Sequence, residues 1–238
     1  IVTGRYADAR QPINVPKGMP VVYAMTPSAD PADTSIRLDN AGGGRLAVEY
    51  LLTTGRRHIA HVTGTARHES ALARSNGAHE ALAAAAIEPV AGKTLFGNWT
   101  EEWGRQAARI AVEIDASTDA IFAGSDQVAR GVIDGLTLAG RRVPDDVAVV
   151  GYDNWSVMVE GRQPRLSSVE PNLGTAGKVA AQLLMAMIDG EQNGGTHWVA
   201  PQLIIRQSSA PATAPPSGAI GEDAHRPAHT GQQCGDGA

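Results

Sequence analysis

Two carboxylates stand just past two short apolar runs, Asp126 after Ala120–Ala123 and Asp153 after Val147–Val150. The stretch from Asp119 to Asn154 reads as strand, helix, strand, with Val128, Val132, Leu136 and Ala139 on one helical face before Gly140 and Pro144 end the helix. In an open parallel α/β sheet, residues just beyond the carboxyl ends of strands line the crevice where ligands bind, so both acids are aimed at one cleft. A carboxylate there accepts hydrogen bonds from two adjacent hydroxyls. For Asp126 a second role stays open, because an acid just ahead of Gln127-Val128-Ala129 can cap the helix. No clear helix starts immediately after Asp153.

Other candidates for chemistry fail on context. Gly42-Gly43-Gly44-Arg45-Leu46-Ala47 fits the G-x-G-x-x-A dinucleotide fingerprint, but Asp39, Asn40 and Ala41 separate its glycines from the strand. The region about 20 residues on is Thr63-Gly64-Thr65, where the fingerprint needs an acid at a strand end. His58 and His61 lie three apart on a strand and therefore on opposite faces, a poor metal pair. Ser125 is not in a nucleophile elbow, since Ala123 and Gln127 hold the flanking glycine places. With no phosphate-binding loop and no nucleophile beside a base, the expectation is a binding protein rather than an enzyme, with no cofactor and no metal.

Alternating strands and helices must position the two acids. Short extended runs at Ile1–Gly4, Pro20–Tyr23 and Ser35–Leu38 lead to a helix whose buried face is Leu46, Ala47, Tyr50 and Leu51, with Gly55 as its left-handed end. A strand at His58–Thr63 follows, then a helix near Ala71–Ala86 and a short strand near Thr94–Phe96. The next helix is capped near Thr100, with Trp103, Ala107, Ile110, Ala111 and Ile114 as its stripe. A late helix from about Thr175 to Ile188 carries Val179, Ala180, Leu183, Leu184 and Met187 on one face. This alternation is the pattern of an α/β fold with parallel sheets.

Composition sets the outer bounds. The 238 residues are 42% hydrophobic, enough for one large domain or two small ones, and only 4% aromatic, so the cores are built from Ala, Val, Ile and Leu. A net charge of −5 argues against a nucleic-acid-binding surface within this stretch. The one cysteine, Cys234, excludes a disulfide framework and fits a reducing, cytoplasmic setting. No apolar run reaches the length of a membrane span. From Ala210 onward, Pro, Ala, Gly and Ser replace any apolar periodicity, and a disordered tail over 210–238 is expected.

Six motifs in fixed order carry a family resemblance. They are Leu38-Asp39-Asn40, Arg74-x-x-Gly77, the A-I-F-A-x-x-D-x-x-A-x-G run at Ala120–Gly131, the V-P-x-D run ending in G-Y-D at Val143–Asp153, Leu166-Ser167-Ser168-Val169, and Leu203-Ile204-Ile205-Arg206-Gln207-Ser208. Together they resemble the effector-binding core of the lactose-repressor and galactose-repressor (LacI/GalR) family of transcription regulators, from Ile1 to Ser209. The resemblance implies a two-lobed, periplasmic-binding-protein-like α/β fold, each lobe a parallel sheet flanked by helices, with the ligand between lobes. It places the first lobe, here incomplete, at 1–63 plus 166–198 and the second at 64–165 plus 199–209. The family's helix-turn-helix headpiece, hinge and first two βα units would precede Ile1, which leaves a strand edge unpaired and a chain expected to be poorly stable alone.

The resemblance also implies site residues. Asp126 and Asp153 become ligand contacts, and Arg74 brings a rigid fork suited to paired hydroxyl or carboxylate oxygens. Trp99, in the loop after a short strand, packs on a sugar face in some members, or else covers the local core. Trp155, near Asp153, is a second cleft aromatic, whereas Trp103 belongs to its helix's buried stripe. Either of Asp39 and Asn40 could face the cleft or cap the following helix, and capping is expected of one of them. Ser125 stands where some members carry asparagine, and it is included in the site. The implied function is the sensing and dimerising core of a repressor. Its expected partners are a small effector, most simply a carbohydrate, a second copy of the chain, and operator DNA reached through the headpiece. The rival reading is a periplasmic sugar-binding protein of a transport system, which shares the two-lobed fold.

Overall fold

A computed structural model describes residues 1–4, 8–161 and 163–210. The first part of the chain gives β1 (Val2–Thr3), β2 (Val22–Ala24), β3 (Thr34–Leu38), α1 (Asn40–Thr53), β4 (Ile59–Thr63), α2 (Glu69–Ala84), β5 (Leu95–Phe96) and α3 (Glu101–Ile114). There follow β6 (Ala120–Ala123), α4 (Asp126–Leu138), β7 (Ala148–Tyr152), α5 (Ser156–Val159), β8 (Ser167–Glu170), α6 (Leu173–Ile188), β9 (Thr196–Val199) and β10 (Gln202–Ile204). The strands form two sheets, one of four strands in the order β1-β2-β3-β9 and one of six in the order β10-β8-β7-β6-β4-β5. All pairings are parallel except β10 against β8. The chain passes between the sheets three times, at β3 to α1, β8 to α6 and β9 to β10.

The six-stranded sheet is covered on both faces, which explains why its central strands read as unbroken apolar runs. Alternation along β6 sends Ala120 and Phe122 toward α1 and α2, where they meet Ala47, Leu51, Ala78 and Leu82. Ile121 and Ala123 face the other way, into Ala107, Ala111, Val128 and Val132 of α3 and α4. The four-stranded sheet lays Val22, Ala24, Ile36 and Val199 against Ala176 and Ala180 of α6.

Glycine lets the helices of each pair touch backbone to backbone. A Cβ on Gly77 of α2 would lie 1.8 Å from the carbonyl oxygen of Ala41, and one on Gly44 of α1 would lie 2.1 Å from that of Arg74. Gly104 and Gly131 play the same part between α3 and α4, with distances of 2.2 and 1.9 Å to Val128 O and Glu101 O. Arg74 is thereby carried close over the first turn of α1.

Several expectations need correction. The boundary at residue 63 does not follow the sheets: β4 pairs with β5 and β6, α1 packs on β6 and β8, and β8 pairs with β7, so all three belong with the six-stranded sheet. Helical spacing put Ile114 and Ala139 on buried stripes, but Ile114 is 55% exposed and Ala139 is exposed. Periodicity fixes the azimuth of a side chain, not how far the sheet beneath it extends, and both residues fall at the last turn of their helices. Beyond Ala210 the expected tail lies outside the described residues.

Replacing Gly77 by alanine should force α1 and α2 apart and lower stability by about 1–3 kcal/mol. Gly177→Ala, on an exposed face of α6 with nothing within 4 Å of the new Cβ, should instead raise it by roughly 0.5–1 kcal/mol. Urea midpoints of the two variants check the pair.

Candidate functional site

The carboxyl ends of β4, β6 and β7 lie side by side, and the side chain that gathers them is Arg74, in the second turn of α2. Its Nε donates to Asn40 Oδ1 at 3.0 Å and its Nη1 to the carbonyl of Gly124, just past β6, at 2.6 Å. The guanidinium carbon sits 3.6 Å from the ring centroid of Tyr152, the last residue of β7, and 6.0 Å from that of Trp99. Asp153 Oδ1 is 3.8 Å from Nη1. Arg74 is only 8% exposed, so each of these partners replaces water that the cation has lost.

Asp39 and Asn40 divide their roles cleanly. Asp39 caps α1, accepting from Gly42 N at 2.7 Å, while buried Asn40 turns its oxygen to Arg74. Tyr152 was not singled out from the sequence, although strand alternation puts it on the face of Ala148 and Val150. Gly43 lies beneath its ring, where a Cβ would approach the hydroxyl to 2.5 Å.

The two acids that opened the sequence reading differ sharply. Asp153 has φ +103° and a side chain 31% exposed beside Arg74. Burial pushes its carboxyl up to about 6, with Arg74 opposing the shift and Glu170 adding to it. Asp126 is 1% exposed, and both of its oxygens are committed. Oδ1 accepts from Ser168 Oγ at 2.5 Å and Oδ2 from the backbone N–H of Trp155 at 2.9 Å. It therefore ties β8 to the loop that carries Asp153. Burial raises its carboxyl to about 7, helped by the charge of Asp153 and opposed by the bonds to Ser168 and Trp155. Ser125, not Asp126, caps α4, accepting from Val128 N at 3.2 Å.

Trp99 is half-buried, and its Nε1 donates to His68 Nδ1 at 2.8 Å. Trp103 is structural as expected, donating from Nε1 to Thr63 O at 2.9 Å. Trp155 reaches the site through its backbone, while its side chain is 56% exposed. Arg74, Asn40, Trp99 and Asp153 are thus brought together, with Tyr152 and His68 added. Asp126 and Ser125 lie buried behind them, and Trp155 stands outward. One side-chain ion pair also joins the two sheets' units here, Arg37 of β3 to Glu69 of α2 at 2.7 Å. Among the described residues no group of three or more His, Cys, Asp or Glu is placed to hold a metal, and no helix is long and apolar enough to cross a membrane.

Set beside known proteins, residues 48–209 match the family described as periplasmic binding protein-like domain. The HTH-type transcriptional regulator CelR of Thermobifida fusca is 37% identical over 176 residues, 73% of this chain and 52% of the relative. A solved CelR–cellobiose complex superposes with a TM-score of 0.70 at 32% identity, over 79% of this chain and 58% of that one. A dimeric Lac repressor gives a TM-score of 0.70 at 25% identity, over 79% of this chain and 68% of its own. The chain spans about half the length of the curated relatives it matches.

The raised carboxyl of Asp126 has a stability signature. The folded protein keeps a proton there that the unfolded chain releases at the ordinary 3.8, so stability present at low pH is lost as pH rises from 3.8 through about 7. Asp153, raised to about 6, contributes in the same direction. Thermal midpoints recorded across that window should fall less steeply in Asp126→Asn than in the parent protein; identical slopes would remove Asp126 as the source.

Proposed function

Because the chain belongs to the periplasmic binding protein-like domain family, among regulators of the LacI type, we propose that it is the effector-sensing core of a transcriptional regulator, with a sugar or similar polyhydroxylated molecule bound between its two sheets' lobes. The observation that carries this reading is the convergence of Arg74, Asp153 and Trp99 at the strand ends of the six-stranded sheet. A forked cation and a carboxylate suit vicinal hydroxyls, and an indole suits the apolar face of a pyranose. Asn40 and Tyr152 hold Arg74 in place, and Asp126 acts through the loop of residues 153–155. We place the first lobe at 1–38 with 173–199 and the second at 40–171 with 202–209, following the sheets.

Regulation requires the effector to favour one arrangement of the lobes over another, because a ligand with equal affinity for both shifts nothing. The Arg37–Glu69 pair joins β3 of the first lobe to α2 of the second, and an arrangement that moved those two elements apart would break it. Two copies of the chain, as in the dimeric Lac repressor, would convert such a movement into a change in how DNA-binding segments of the longer protein meet an operator, in the cytoplasm. The regulators among its relatives support this reading over a transport protein. The absence of catalysis belongs to the proposal too: Asp126 is fully bonded and Asp153 is held by Arg74, which leaves neither poised as a free base.

Calorimetric titration of the full-length protein against a panel of sugars, repeated with operator DNA present, tests the proposal. A sugar should bind and change operator affinity, and Arg74→Lys, which keeps the charge but loses the fork and the stack on Tyr152, should weaken sugar binding by about 1.5–3 kcal/mol. Asp153→Asn should weaken it as well. Sugar binding that leaves operator affinity untouched would defeat the regulatory half.

A further inference from the structure

We infer that Glu170 is a positioning residue that clamps the loop carrying Asp153 to the passages joining the two lobes, so that the site and the lobe arrangement shift as one unit. This rests on the sensing core proposed above, in which lobe arrangement carries the signal. Glu170 ends β8, at the second passage of the chain between the sheets, and both of its oxygens are engaged. Oε2 accepts from Nδ2 of Asn154, the residue after Asp153, at 3.1 Å. Oε1 accepts from the backbone N–H of Asn172, just before α6, at 2.8 Å. Asn172 in turn donates from Nδ2 to Ala200 O at 2.7 Å, in the third passage. Beside Ala200, Val199 O accepts from Asp39 N at 3.0 Å, in the first passage. One run of hydrogen bonds therefore leads from the residue beside Asp153 to all three passages.

The chemistry of the partners fixes each amide. Arg206 carries only donors, and its Nη2 lies 2.9 Å from Asn154 Oδ1, so Asn154 must turn its NH2 to Glu170. The carbonyl of Ala200 only accepts, which fixes Asn172 in the same way. Backbone conformation marks the same places. Asp153, Asn154 and Asn172 have φ of +103°, +51° and +63°, a region that residues with a Cβ disfavour and that persists where surrounding bonds hold it. Asn172 precedes α6, yet its side chain does not cap that helix and bonds Ala200 instead. On the site side, Asn154 N donates to Ser168 Oγ at 3.0 Å and Asp153 N to Val169 O at 2.9 Å, which leaves the loop little freedom of its own. Rotation of one lobe about the passages shifts Asn172 against Glu170, and the carboxylate hands that shift to Asn154 and so to Asp153. A glutamine at 170 could not do this. With one acceptor and one donor it serves Asn172 or Asn154, but not both.

The test reads the lobe arrangement and uses no sugar. Spin labels are placed on one exposed residue of each lobe, through Lys178→Cys in α6 and Gln106→Cys in α3. The full-length protein is used, with every native cysteine, Cys234 among them, replaced by serine. Labelled molecules are diluted in unlabelled protein, so that the distances measured lie within one chain. The parent should give a narrow distance distribution. Glu170→Gln, and Asn154→Asp, which sets one carboxylate against another, should each widen it about twofold. Combining Glu170→Gln with Asn154→Asp exchanges donor for acceptor: the glutamine oxygen still accepts from Asn172, its amide donates to the new carboxylate, and Arg206 keeps an acceptor. The parent width should return. Asn172→Gly, which suits the left-handed backbone and deletes only the bond to Ala200, should widen the distribution as Glu170→Gln does. A purely structural role would lower the melting temperatures of the single variants and leave the distances unmoved. A width unchanged by Glu170→Gln, or one still broad in the combined variant, overturns the clamp while the sugar-sensing reading stands. Distances that behave as stated, with no sugar of the panel binding, overturn the sensing reading and leave the clamp.

Discussion

Burying one guanidinium constrains most of the second lobe. Arg74 cannot give up its proton, so once it is taken out of water it must be surrounded by acceptors and π-faces, or the cost is several kcal/mol. The protein supplies them from three separate segments: Asn40 at the start of α1, Gly124 after β6, and Tyr152 with Asp153 at the end of β7. None of these can move without exposing an unmet charge. The same demand accounts for Gly43, Gly44 and Gly77, since Cβ atoms there would collide with Tyr152, with the Arg74 backbone or with Ala41.

The carboxylates are arranged as a graded pair. Asp153, partly open and beside the cation, keeps one side turned toward the site, while Asp126 is enclosed behind it and holds the 153–155 loop through Trp155 N and the neighbouring strand through Ser168. Gly151 makes that enclosure fit, because a Cβ there would come within 2.4 Å of Asp126 Oδ1. Asp126 thus shapes the approach to the site without standing on its surface, which is how a residue with a strongly shifted proton affinity can serve geometry rather than chemistry.

What could be read from the sequence divides along physical lines. Strands β4, β6 and β7 and the helices between them were legible because apolar periodicity is local and their sheet is buried on both faces. Arg74, Asn40, Trp99, Ser125, Asp126, Asp153 and Trp155 are expected as one group from motif order and the rule for strand ends; Arg74, Asn40, Trp99 and Asp153 do lie together, whereas Asp126 and Ser125 are buried behind them and the Trp155 side chain stands outward. Tyr152 escaped because a tyrosine at the end of an apolar strand looks like core; only its pairing with a distant arginine marks it. His68 escaped for a similar reason, since nothing local shows that an indole 31 residues away will choose it as acceptor. The lobe boundary was misplaced because β4 and α1 carry no label saying which sheet they join. That decision is made by strand pairing across long stretches of chain.

The glycine contacts between α1 and α2 have one more consequence. Where two backbones meet with no side chain between them, there is no soft layer to rearrange, and interiors packed this closely have little compressibility. A guest that is slightly too large is not met by a yielding wall there. Under the function proposed above, selectivity for one guest over another would then fall to the loops and side chains around the strand ends, with the glycine-packed helix pair as a fixed gauge beside them.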